Sequence, residues 1–159
     1  MNWSAPDLEK LVTTLDRHGV QYVLVGGFAL VIHGGDSVTT DVDLAVSHEP
    51  DNHERLAHAL NEINPRLKSG AAVRLDRLAF GGEFSGFLTD AGPVDIIRRL
   101  GPFPFGVLHR QAERIELFGV LVPVARLEDL RALKADSERQ RDQDHVRTID
   151  ALLALRAEG

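Results

Sequence analysis

Asp41 and Asp43 stand one residue apart in the run TTDVDLAV (39–46), and Asp95 sits inside a second apolar run, GPVDII (92–97). Successive residues of a strand point to opposite faces, so an i, i+2 spacing turns both carboxylates of the first run to one side. Val42 and Leu44 then point to the other side, into the core. Like charges this close repel, and a pair embedded in apolar sequence asks for a cation between them. An exposed acidic pair is ordinarily solvated surface. A third carboxylate in another buried strand shifts the reading: on neighbouring strands, Asp41, Asp43 and Asp95 can converge on a hard divalent ion. Oxygen donors suit Mg²⁺, with Mn²⁺ as a substitute, and such ions accept substrate phosphates. Two of them can stabilise the attacking and leaving oxygens of an in-line phosphoryl displacement.

Gly26-Gly27 lies upstream, after the β-rich run Val20 to Val25. Glycine lets backbone approach a ligand closely, and a helix start aims unpaired N–H groups at phosphate. A plain strand-to-helix turn is the default for such a pair. The acidic pair 14 to 17 residues later makes it informative.

The elements that must hold these residues follow from periodicity. Leu8, Leu11, Val12 and Leu15 predict a helix over 7–18 between Pro6 and Gly19. Strands are expected at 20–25 and 39–46, with a short helix over 28–33 and a loop at 34–37 between them. His48 to Asp51 reads as a turn. Leu56, Ala59, Leu60 and Ile63 mark a helix ended by Asn64-Pro65. AAVRL (71–75) and GFLTD (86–90) look β-like, and 94–97 is a short strand. LGPFPFGVLHR (100–110) reads as loop, with Phe103 and Phe105 as core anchors. Strands at 114–118 and 120–124 flank Gly119. Leu127, Leu130 and Leu133 mark a helix. Ser137 and Gln140 have capping-box spacing for a last helix carrying Val146, Ile149, Leu152 and Leu153. The expected class is α/β (α+β), a mixed sheet with helices mainly on one face and two C-terminal helices. Residues 1–159 read as a single domain.

The chain has no cysteine, which excludes disulfides and thiolate metal sites. A net charge of −6 argues against a general nucleic-acid-coating surface. Arginines nevertheless cluster at Arg98-Arg99, at Arg110 and Arg114, and from Arg126 to Arg147. The N-terminal residues show no signal pattern, and no apolar run approaches the roughly 20 residues of a membrane span. A soluble, cytoplasmic protein is expected. His33, His109 and His145 read as packing residues, as does Trp3.

GGFALVIHGGDSVTTDVDLAV (26–46) resembles the signature of the DNA polymerase β-type nucleotidyltransferase superfamily, a glycine pair, a short helix and Asp-x-Asp on a strand. GPVDII resembles its third-carboxylate strand. LEDLRALKADSERQRDQDHVRTIDAL (127–152) resembles the tail of the AbiEii/MenT-like branch, found as toxins of toxin–antitoxin pairs. There Lys134, Arg139 and Asp142 match a lysine, an arginine and an aspartate. Ser37 stands where that branch often carries arginine, and Arg141 where it has lysine.

The resemblance implies a nucleotidyltransferase fold and transfer of a nucleoside monophosphate from an NTP to an acceptor hydroxyl, with release of pyrophosphate. Asp41, Asp43 and Asp95 would be the metal ligands and, with Lys134 and Asp142, the catalytic set. Gly26, Gly27, Thr39, Lys134 and Arg139 would bind the nucleotide. An RNA acceptor, a tRNA 3′ end, is the leading expectation, with a cognate antitoxin as partner. The alternatives are a small-molecule hydroxyl of the aminoglycoside type, a protein side chain, and an inactive binding module.

Overall fold

The computed structural model describes residues 5–82, 84–98, 100–135 and 137–159. Trp3 and Arg99 lie outside the described residues. Helix α1 (Leu8–Arg17) opens on Asp7, whose side chain accepts from the Lys10 amide. Strand β1 (Tyr22–Val25) runs directly into helix α2 (Gly26–Ile32). Strand β2 (Val42–Val46) is followed by helix α3 (Pro50–Glu62), which starts with a proline in its first turn. A 3₁₀ turn (Arg77–Phe80) precedes strands β3 (Phe84–Thr89) and β4 (Gly92–Ile97). Helix α4 (Phe105–Gln111), the hairpin β5 (Glu113–Leu117) and β6 (Val120–Val124), and helices α5 (Leu127–Lys134) and α6 (Gln140–Glu158) complete the chain.

The six strands form one mixed sheet in the order β3-β4-β2-β1-β6-β5. β2 lies antiparallel to β1 and parallel to β4, so it is central. Its core-facing residues Val42 and Leu44 are fully buried, as expected. The strand is shorter than the expected 39–46: Asp41 stands immediately before it. α1 packs on α3 and α5 on α6, and their apolar stripes join one continuous core with the sheet. The expected class, a mixed sheet with flanking helices, is what the chain adopts.

Three local expectations are corrected. LGPFPFGVLHR contains helix α4, because Pro104 sits at the N-cap, where a missing N–H costs nothing. Phe103 and Phe105 still pack on the core. AAVRL forms no strand: Ala72 makes a single bridge to Arg66. Ser137 is not the cap of α6, whose N-cap is Arg139 without a side-chain bond.

A buried amide fixes the central pair. Asn52 on α3 is fully buried. Its Oδ1 accepts from the Gln21 amide at 2.7 Å, and its Nδ2 donates to the carbonyls of Gln21 at 3.0 Å and Ser47 at 2.9 Å. It thereby ties the start of β1 to the end of β2. Asn52→Ala removes three hydrogen bonds and leaves the Gln21 amide and the Ser47 carbonyl without this partner, while the Gln21 carbonyl keeps the Ser47 amide; it should cost about 2–4 kcal/mol, read as a lower urea midpoint.

Candidate active site

The cleft is built where β1, β2 and β4 lie side by side. Val25 pairs with Asp43, and Asp43 with Asp95. The expectation that the acidic strands are neighbours is met. Asp41, Asp43 and Asp95 line a cleft of about 340 Å³ together with Gly27, Ile97, Lys134, Arg139, Arg141 and Asp142. Gly26 takes a φ of +73°, where a side chain is disfavoured, and a Cβ there would collide with the Asp43 carboxylate. Glycine is required at this position because the chain turns into α2 against the acid. Thr39 is buried against Gly27, and its hydroxyl donates to the Asp41 carbonyl at 3.0 Å. It holds the turn and does not line the cleft.

The C-terminal residues singled out in the sequence reach the same cleft. Lys134 donates to Asp142 Oδ1 at 3.0 Å, and the Ser137 hydroxyl donates to Oδ2 at 2.7 Å. Both members of the Lys134–Asp142 ion pair are largely buried. Arg139 lies 3.9 Å from the same carboxylate and is three-quarters exposed. Two cleft-lining residues, Arg141 and Ile97, had no assigned role in the sequence. A residue beside the lining was missed entirely: Lys68 Nζ lies 3.5 Å from Asp95 Oδ1. Only its nearness in space, not in sequence, marks it. The histidines behave as packing residues. His33 bonds the Ala125 carbonyl at 2.8 Å, and buried His145 bonds Ser37 Oγ at 3.3 Å.

The electrostatics divide the cleft. Burial, then the charges of Asp95 and Asp41, push the Asp43 carboxyl up to about 6 against the pull of Lys134 and Arg141. Burial also raises Asp95; Lys68 lowers it and Asp41 raises it, with a net upward shift. Burial would raise Asp142 too, but the bonds from Ser137 and Lys134 and the charges of Lys134 and Arg139 outweigh it and hold it below its ordinary range. The negative charge on the β2–β4 side is thus under-compensated.

A divalent cation fits that deficit in charge and in donor type, since all three donors are carboxylate oxygens. The ligand set is not closed as it stands: among the described residues, no three acidic or imidazole groups are arranged to hold a metal. Asp95 Oδ1 faces Lys68, and Asp41 Oδ1 accepts from the Thr40 hydroxyl at 3.0 Å. Small side-chain turns would be needed to face all three acids to one ion.

No family model and no curated protein matches this sequence. Solved structures do. A candidate nucleotidyltransferase of Thermotoga maritima superposes with a TM-score of 0.53 at 18% identity, covering 96% of this chain and 91% of its own. The lincosamide antibiotic adenylyltransferase LnuA, solved with lincomycin, gives 0.61 at 12% identity over 92% and 96%. The aminoglycoside enzyme ANT(2″)-Ia, solved with adenylyl-2″-tobramycin, gives 0.60 at 14% over 95% and 93%. The chain has the nucleotidyltransferase fold. In this fold the strand pair carrying Asp43 and Asp95 is laid down by register, and over nine-tenths of the chain takes part in each match.

The raised Asp43 pKa has a defined consequence. The folded chain holds this proton more tightly than the unfolded one. The associated stability is fully present below the ordinary value of 3.8 and is lost as pH rises through about 6. The Asp43 contribution should lower the midpoint of chelator-treated protein by about 2–4 °C between pH 5 and pH 7.5, against an opposite contribution from His48, His53, His109 and His145, whose lowered proton affinities favour the higher pH. Asp43→Asn should remove most of that difference and raise the midpoint at pH 7.5, as measured by differential scanning calorimetry.

Proposed function

We propose that the protein is a nucleotidyltransferase that moves a nucleoside monophosphate from an NTP to an acceptor hydroxyl. The observation that carries this is the meeting of Asp41, Asp43 and Asp95 with Lys134 and Arg139 in one cleft of the nucleotidyltransferase fold. Asp41, Asp43 and Asp95 would hold Mg²⁺ or Mn²⁺, which when bound neutralises phosphate charge and lowers the pKa of a nearby hydroxyl. Lys134, a compact cation fixed by Asp142, sits where it can meet triphosphate oxygens. Arg139 and Arg141 add positive charge at the rim. Gly27 leaves the backbone bare beside the acids. The acceptor oxygen forms a bond to the α-phosphorus, the bond to the β-phosphate oxygen breaks, and pyrophosphate leaves. Asp95 faces the acceptor side and takes part in orienting the hydroxyl.

A small-molecule hydroxyl is the acceptor best supported. Two of the similar structures are antibiotic-modifying adenylyltransferases covering over nine-tenths of this chain, and a net charge of −6 suits a small acceptor better than a polyanion. A second reading, transfer to a tRNA 3′ end by a toxin with a cognate antitoxin, draws support from the Lys134–Ser137–Asp142 cluster. That cluster lies in the segment resembling the AbiEii/MenT-like tail.

The test offers each α-³²P-labelled NTP, with Mg²⁺, to aminoglycosides, lincosamides, total tRNA and protein acceptors. Label on a small molecule upholds the first reading and label on tRNA the second. Asp41→Asn and Asp43→Asn should each lower transfer by about 100-fold or more. Transfer unchanged in both would overturn the assignment of these acids to the metal; no transfer and no nucleotide binding would sink the enzymatic reading.

A further inference from the structure

Lysine is scarce in this chain: Lys10, Lys68 and Lys134 are all of it. Two of these three pair with carboxylates that line the cleft: Lys134 with Asp142 and Lys68 with Asp95. Lys68 stands on a tight turn between α3 and β3, in which the Gly70 amide donates to the Leu67 carbonyl at 2.7 Å and the Leu67 amide to the Ala71 carbonyl at 2.9 Å. The turn is fastened to β3 by a reciprocal pair. The Arg66 amide donates to the Leu88 carbonyl at 2.7 Å, and the Leu88 amide to the Arg66 carbonyl at 2.9 Å. From this anchor the side chain crosses β3 at Gly86, the residue in register with Asp95.

The crossing depends on that glycine. A Cβ at Gly86 would lie 2.8 Å from Lys68 Cε and 2.7 Å from Asp95 Oδ1. Anchored turn, bare backbone and register together deliver one ammonium to one carboxylate. The two partners differ in freedom: the Asp95 side chain is 7% exposed and that of Lys68 is 53% exposed. The acid is buried, and the lysine has an open path to solvent. Among the described residues, no ion pair engages Asp41 or Asp43 in the same way.

We infer that Lys68 is a positioning residue for the third carboxylate, whose ammonium rests on Asp95 in the absence of a divalent cation and competes with that cation for it. The inference rests on the nucleotidyl-transfer reading of this cleft. An incoming cation meets no paired cation at Asp41 or Asp43 among the described residues but must replace a resident charge at Asp95. Cation binding is then unequal across the cleft, weaker on the Asp95 side.

The test is a Mn²⁺ titration of the full chain, followed by the electron paramagnetic resonance signal of free Mn²⁺, with no nucleotide present. Lys68→Met should tighten the weaker binding by about three- to tenfold, the scale of a half-exposed ion pair plus the relieved repulsion. Lys68→Arg keeps the charge and should stay near the wild-type curve. Both variants should melt as the wild type does, since Lys68 is half exposed. Equal or weaker binding in Lys68→Met, or Lys68→Arg behaving like Lys68→Met, overturns the inference. Asp43→Asn separates the two levels. If it loses Mn²⁺ while Lys68→Met matches the wild type, the role of Lys68 fails and the cleft reading stands. If Asp43→Asn binds as the wild type does, or no form binds Mn²⁺, both fail.

Discussion

The lateral pairing of β2 with β4 sets Asp43 beside Asp95, and the apolar residues of the same strands keep it there. Val42 and Leu44 on β2 and Val94 and Ile96 on β4, on the face opposite the acids, are buried. A slip of one residue would turn those side chains out and the carboxylates in. Exposing several buried aliphatic side chains costs about 1.5–3 kcal/mol each, more than the repulsion between two partly hydrated acids. The hydrophobic core therefore decides the register, and the crowding of charge in the cleft is its consequence. Asn52 acts on the same constraint from the far end of β2, where it pins the chain entering β1.

Charge compensation around the cleft is uneven, and the unevenness is organised. Asp142 has its cation already: Lys134 and Ser137 bind both of its oxygens, and its proton affinity falls. Among the described residues Asp43 has none in contact, and its proton affinity rises. Two aspartates facing one cavity are thus held in opposite electrostatic states by their surroundings. The C-terminal side is a finished ion pair that presents a lysine. The β2 side is an unfinished one that calls for a cation. A ligand with both metal and phosphate character satisfies both sides at once, which is the physical content of the nucleotide reading.

Much of this was legible in the chain itself. Asp43, the glycine pair and the strand around Asp95 were placed correctly because each rests on a local rule: strand alternation, glycine at a turn, and an apolar run; Asp41 stands just before β2 rather than within it. Lys134 and Asp142 were found by likeness to a known tail, since nothing in their spacing alone distinguishes them from a solvated helix face. Lys68 was missed for a different reason. Its contact with Asp95 spans 27 residues and depends on a turn and a glycine that have no periodic signature. Helix α4 was missed because Pro and Gly in 100–106 read as loop, although Pro104 is placed where a helix tolerates it.

The two central acids are each flanked by a glycine of the adjoining strand or its extension. Gly26 follows the residue paired with Asp43, and Gly86 is paired with Asp95. At both positions an added Cβ would meet the carboxylate itself. Gly86 cannot be explained by a turn, since it lies inside β3, where glycine weakens a strand. The missing side chains leave the acids room to turn. That freedom matches the state of the cleft, in which Asp41 and Asp95 are engaged by Thr40 and Lys68 and must reorient to share one ion. The sheet fixes where the carboxylates stand, and the glycines leave open which way they face.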